Sequence, residues 1–267
     1  MLETMLITEL ILLFVAPIAL GFWLNRRLGL PWMLFLGGAL AFVISWIVTA
    51  FLPLPAELGL LIAAVAQMGT LYLIYRYMLN TVKTEREALM VGVGQGGIEL
   101  IILVAFLILP TFTQMQSLRE ANDETLIDLI ARSDDIPAEE VEPSRIDELR
   151  ENIDDYWSTP WYVPPVQTVA TLSTLPIQMA LAIVVLSAVT QNNLRPLVGA
   201  MALYFLAKSL PVFASLVGGV AAWLLLSLIF AGVAIWFLSR LWPVIQEQTK
   251  DALKERLKAE KRAQRSQ

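Results

Sequence analysis

Long apolar runs, broken by short polar clusters, dominate the chain. A helix crossing the hydrocarbon of a bilayer needs about 20 mostly apolar residues. Seven stretches reach that length: Leu6–Leu24, Pro31–Leu52, Leu58–Leu79, Ala88–Leu109, Val166–Val189, Leu194–Ala214 and Leu216–Leu241. They predict an all-α polytopic membrane protein of seven spans, with short links at Pro53–Glu57 and Ser215. The first run is too long and too apolar for the core of a signal peptide and lacks a basic start, so it reads as a retained helix. No internal repeat period stands out.

The pattern changes after the fourth run. Residues 111–165 hold 14 acidic and four basic residues, yet helical spacing persists. Asn122 is placed to cap a helix through Leu126, Ile127, Leu129 and Ile130. Ser144 with Asp147 fits a capping box ahead of Ile146, Leu149 and Ile153. Pro137 and Pro143 separate the two segments. The expectation is a small helical cap over the bundle; composition alone equally fits an acidic spacer that repels anionic headgroups. Tyr156, Trp157, Trp161 and Tyr162 fall where an interfacial aromatic belt belongs. The chain thus divides into residues 1–110 with four spans, the insert 111–165, residues 166–242 with three spans, and a charged tail helix over 243–267. In the tail, Asp251 with Lys254 and Glu255 with Lys258 are three apart, which supports an exposed helix. Its apolar stripe is only Leu253 and Leu257.

Composition agrees with the pattern. Of 267 residues, 57% are hydrophobic and 16% charged, against roughly a quarter charged in a soluble domain. With no cysteine and no histidine, there is no disulfide framework, thiolate site or imidazole chemistry. No metal or other cofactor is expected. Charge sets the orientation. Arg26, Arg27, Arg76, Lys83, Arg86, Arg195 and the tail from Arg240 to Arg265 share one side if the N-terminus is outside. That puts 14 of the 19 basic residues in the cytoplasm, with the insert extracytoplasmic and the tail cytoplasmic in a multi-pass cell-membrane protein. The tail lacks the aromatic and basic clustering of a nucleic-acid surface, so no nucleic acid is expected and the bilayer is the expected surrounding.

Ionisable groups inside a bilayer are the default functional candidates. Glu9 and Glu57 sit at span ends and are read as reaching the interface. Glu99 and Lys208 sit deep in spans four and six. Gln67, Gln95 and Gln178 are the strongly polar neutral residues inside spans. Gln95 with Glu99, and Tyr204 with Lys208, are four apart and share helix faces. Glu99 and Lys208 are expected to pair across helices; the alternative leaves Lys208 snorkelling to the interface and Glu99 protonated. Around Gln95, Gly92, Gly94 and Gly97 match the dinucleotide fingerprint G-x-G-x-x-G. That motif needs a preceding strand and a water-accessible helix start, and here it lies inside a spanning run, so no nucleotide is expected. Gly92 and Gly96 instead fit a small-xxx-small packing seam, with Gly94 and Gly97 beside it.

The tract GVGQGGIE, Gly92–Glu99, resembles the G-x-G-H-G-x-x-E signature of the YhfC family of bacterial intramembrane metalloproteases, related to the CAAX-processing and bacteriocin-processing group. FLGGALAFVISW (Phe35–Trp46) and AMALYFLAKSLP (Ala200–Pro211) resemble its second and sixth helices. The resemblance spans nearly all of the membrane part, but neither the insert nor the tail. It implies a metal site whose ligands are missing here. Gln67, Met68 and Leu71 stand where the family has a Glu-Glu pair and Arg; Gln95 and Gln178 stand for His; Tyr204 and Lys208 stand for His and Asp. Glu99 alone remains of the functional groups. Glutamine is a poor zinc ligand, and Lys208 places a positive charge where a divalent cation would sit. The resulting expectation is a degenerate member, a pseudoprotease that binds or scaffolds a membrane partner. Two other readings stay open: an altered hydrolase with Glu99 as base and Gln95 and Tyr204 assisting, and a transporter component or structural subunit using the buried charges.

Overall fold

The structure is a computed structural model and describes residues 1–52 and 56–265. The expected link at Pro53–Glu57 lies outside the described residues over 53–55. Among the described residues there are helices and no strands. The bundle begins with α1 (Leu2–Leu28), α2 (Trp32–Ala50) and α3 (Ala56–Leu73), the last extended by a wide turn over Ile74–Met78. Helix α4 (Glu85–Leu103) runs through a second wide turn, Val104–Ile108, into α5 (Leu109–Leu118). Then come α6 (Asp123–Asp134), α7 (Pro143–Ser158), α8 (Val163–Leu172), α9 (Thr174–Thr190) and α10 (Arg195–Arg265).

Local chemistry explains several boundaries. Gly29 ends α1 in the left-handed region, at φ 64°, where a side chain is costly. Thr84 starts α4 with a reciprocal cap: its hydroxyl accepts from Glu87 N–H and the Glu87 carboxylate accepts from Thr84 N–H at 3.2 Å, which satisfies two end donors. Asn122 Oδ1 accepts from Thr125 N–H at 2.9 Å and starts α6.

Six helices are long and apolar enough to cross a membrane among the described residues. The sixth, α10, is not straight. Gly219 interrupts it at φ 63°, ψ −157°, a conformation essentially open to glycine alone. Ala207, before that point, lines a cavity with Phe230 and Ala234, after it, so the chain doubles back. The second arm is the stretch expected as a seventh span. The break expected at Ser215 is corrected to Gly219: Ser215 stays helical, its hydroxyl bonded back to the Val212 carbonyl at 2.7 Å.

The main apolar core gathers Leu24, Leu71, Tyr75, Leu89, Leu186 and Ile245, from α1, α3, α4, α9 and α10. The insert has its own small core of Leu118, Leu126 and Ile153, with Ile146, Leu149 and Trp157 packed on it. One expectation there is corrected. Ser144 does not cap α7; Pro143, whose ring presets φ, takes the first helical position, and Ser144 Oγ donates to the Glu142 carboxylate instead. Trp157 is partly buried against this core: its indole N–H donates to the Met115 carbonyl at 3.2 Å and its ring receives Arg119 at 4.6 Å, so it ties α7 to α5. Trp161 and Tyr162 remain half exposed. In the tail, Asp251–Lys254 and Glu255–Lys258 pair at 3.0 and 2.8 Å, and Leu253 and Leu257 stay exposed.

Candidate functional site

Glycines fix α4 at the centre. A Cβ on Gly94 would overlap the Phe35 carbonyl of α2, and one on Gly38 would overlap the Val91 carbonyl of α4. The two backbones therefore meet directly. A Cβ on Gly92 would lie 2.5 Å from Met179 Cα in α9, one on Gly96 3.2 Å from Gln178 Cβ, and one on Gly97 2.8 Å from Pro17 Cβ in α1. Glycine thus lets three helices close on α4. Residues Ala88 to Gly97 are all buried. The sector left over on α4 carries Gln95 and Glu99.

That sector meets α9 and the first arm of α10. Lys208 Nζ donates to Glu99 Oε1, and Gln178 Nε2 donates to Glu99 Oε2 at 2.9 Å. Lys208 also donates to Thr174 Oγ1 at 3.3 Å, and its ammonium lies 5.7 Å from the centre of the Tyr204 ring, within cation–π range. The ion pair is mostly enclosed, with 27% of the Lys208 side chain and 18% of the Glu99 side chain exposed. Both carboxylate oxygens are therefore engaged, and the charge at the centre sums to zero.

The remaining candidates divide. Gln67, Tyr204 and Glu99 line one cavity of ≈190 Å³ with Ser45, Thr49 and Trp46. Gln95 is fully buried, and among the described residues neither its Nε2 nor its Oε1 has a hydrogen-bond partner; Gln178 Oε1 is likewise unpaired, and the Gln67 amide faces the Tyr204 hydroxyl. Each such atom carries a desolvation cost. Met68 and Leu71 are not part of this polar centre; they are fully buried in the apolar core. Thr174 was missed, although it lies four residues before Gln178 on the same face. Glu9, near the start of α1, is 5% exposed; it sits on the side of α1 that packs inward with Leu6, Leu13 and Pro17, and its charge is felt at Tyr156 of the insert. The Glu57 side chain lies outside the described residues.

The model of the YhfC intramembrane metalloprotease family matches residues 56–230. The chain belongs to this family. No curated protein and no solved structure matches it. Membership in the YhfC family implies a metal, and the donor set at the centre does not fit one. Gln67, Gln95 and Gln178 offer neutral amides, Tyr204 a phenol and Lys208 an ammonium. The one carboxylate, Glu99, already holds that ammonium and an amide N–H. Zinc sites are built from thiolates, imidazoles and carboxylates. Among the described residues, no three Cys, His, Asp or Glu side chains group together in a way that could hold a metal.

Proposed function

We propose that this YhfC-family chain is a membrane-embedded binding protein: it keeps the intramembrane metalloprotease framework, holds a transmembrane partner, and does not cut it. The observation that carries this reading is the Glu99–Lys208 pair. An internal ammonium neutralises the carboxylate that would otherwise serve as base or ligand, and glutamine amides surround it. A metal-free hydrolase needs a free base within reach of its water, and Glu99 accepts from two donors already. The arrangement in the membrane belongs to the same proposal. The chain crosses seven times, the acidic insert over 111–165 is extracytoplasmic, and the tail over 243–267 is cytoplasmic, because this places most basic residues inside.

Metal analysis tests the reading. Protein purified without chelator is assayed for zinc, then dialysed against chelator and titrated with zinc. The expected result is substoichiometric metal and no saturable binding. One tightly held zinc per chain, restored after dialysis, would falsify the proposal.

A further inference from the structure

We infer that a lateral groove between α9 and the two arms of α10 docks a partner's transmembrane helix, one that carries a hydrogen-bond-accepting side chain at mid-bilayer. This rests on the membrane-partner reading above and names the surface and the chemistry. Two cavities form the groove. One, of ≈220 Å³, is apolar and is lined by Leu203, Phe230, Val233 and Trp236 among others. The other, of ≈160 Å³, is lined by Thr174, Lys208, Trp223 and Ser227 among others. Both include Ile177 and Ala207, so they adjoin. Leu203, Val233 and Trp236 are 50%, 60% and 59% exposed, which opens the apolar part outward from the bundle.

The polar part holds donors without acceptors. Ser227 is 6% exposed, and its hydroxyl has no hydrogen-bond partner among the described residues. Lys208 has three N–H donors; two are used, by Glu99 and Thr174. One ammonium N–H and one serine hydroxyl are thus left to meet an acceptor.

Depth selects the occupant. Trp161 and Tyr162, half exposed at the start of α8, mark an interface. Thr174 lies 12 residues beyond Tyr162, about 18 Å along the helix. Lys208 and Ser227 lie 11 and eight residues from the reversal at Gly219, about 16 and 12 Å. The hydrocarbon core is about 30 Å thick, so these groups sit near its middle. Lipid ester and headgroup oxygens stay at the bilayer edges. A lipid chain fills the apolar part only. A side chain such as Asn, on a helix that spans the membrane, brings an acceptor to the midplane, and its apolar neighbours cover Leu203, Val233 and Trp236.

The test uses the full chain in phosphatidylcholine vesicles with two synthetic spanning peptides, each an apolar helix with either Asn or Leu at its centre. Association is read by energy transfer between labelled protein and labelled peptide. The Asn peptide is expected to associate several-fold to about 20-fold more tightly. Ser227→Ala is expected to remove that preference, Ser227→Thr to keep it, and Ala207→Trp, at the waist of the groove, to weaken both peptides. Leu36→Ala, on the exposed face of α2, leaves the preference intact. Equal affinity for the two peptides, an Asn preference that survives Ser227→Ala, or a preference lost with Leu36→Ala overturns the inference. Zinc binding, which bears on the binding-protein reading alone, is measured on the same sample, so the two failures are told apart.

Discussion

Removing one member of the Glu99–Lys208 pair tests the electrostatics of the centre directly. Breaking a fully buried ion pair costs about 3–5 kcal/mol, because the remaining charge is stranded. Here the side chains keep 27% and 18% exposure, and Gln178 and Thr174 remain as partners. That lowers the expectation to about 2–3 kcal/mol for Glu99→Gln and for Lys208→Met. In the double variant both charges are gone, and Gln178 faces an amide in place of a carboxylate. Its cost is expected to fall short of the summed single costs by about 1.5–3 kcal/mol. Unfolding of the four proteins in mixed micelles of rising dodecyl sulfate fraction, followed by circular dichroism, gives the cycle. Single variants within about 0.5 kcal/mol of the parent, or a double variant whose cost is the plain sum, would refute a stabilising pair.

Two further outcomes follow. Gly38→Ala and Gly94→Ala each push a methyl into backbone of the facing helix, and backbone cannot rotate away; each is expected to cost about 3 kcal/mol or more. Gly199→Ala, with nothing within 4 Å of the added Cβ, is the control and is expected to be neutral or mildly stabilising in the same micelle assay; equal costs at all three sites would remove the interlock. Outside the spans, burial, with a smaller contribution from the Glu9 charge, raises the Tyr156 phenol above its ordinary value of 10.0. A raised value favours the neutral form in the folded state, so its contribution is complete below the unfolded value and fades as pH rises through the folded one. As pH rises past the ordinary value of about 10, the parent is expected to lose stability relative to Tyr156→Phe, and parallel curves would argue against a buried phenol.

What the sequence showed depended on the kind of force involved. Apolar length alone indicates spanning helices, because no other segment survives in hydrocarbon without partners for its backbone. The reversal in the last apolar stretch was displaced to Ser215, since a serine between two runs looks like a link. Only backbone conformation reveals that Gly219 makes the turn. The spacing of four residues put Gln95 beside Glu99 and Tyr204 beside Lys208, and these are the faces that meet. Met68 and Leu71 entered through family resemblance, and their apolar chemistry sends them to the core instead. Thr174 and Ser227 were passed over because serine and threonine in a spanning helix commonly bond back to their own turn. Whether one does so is a rotamer choice that no spacing rule records. Glu9 was discounted by distance from a span end, but depth along a helix says nothing about which way the side chain faces.

The glycines and the glutamines answer to different demands. Gly38, Gly92 and Gly94 set backbone-to-backbone distances, and any side chain there would part α2 or α9 from α4. That geometry is required whatever the centre contains. The groups inside face only the requirement that buried charge be balanced and buried polar atoms be paired. Lys208 against Glu99 meets the first condition with no external ion. Gln95 and Gln178 leave the second incomplete, with both polar atoms of the Gln95 amide and Gln178 Oε1 unpaired among the described residues. A centre selected for stability alone would sooner carry apolar side chains of similar volume there, which remove both the unmet bonds and their cost. Gln95 and Gln178 are fully buried, so their amides weigh on stability without being open to a docked helix, and of the three glutamines it is Gln67 that lines a cavity, the one beside Glu99.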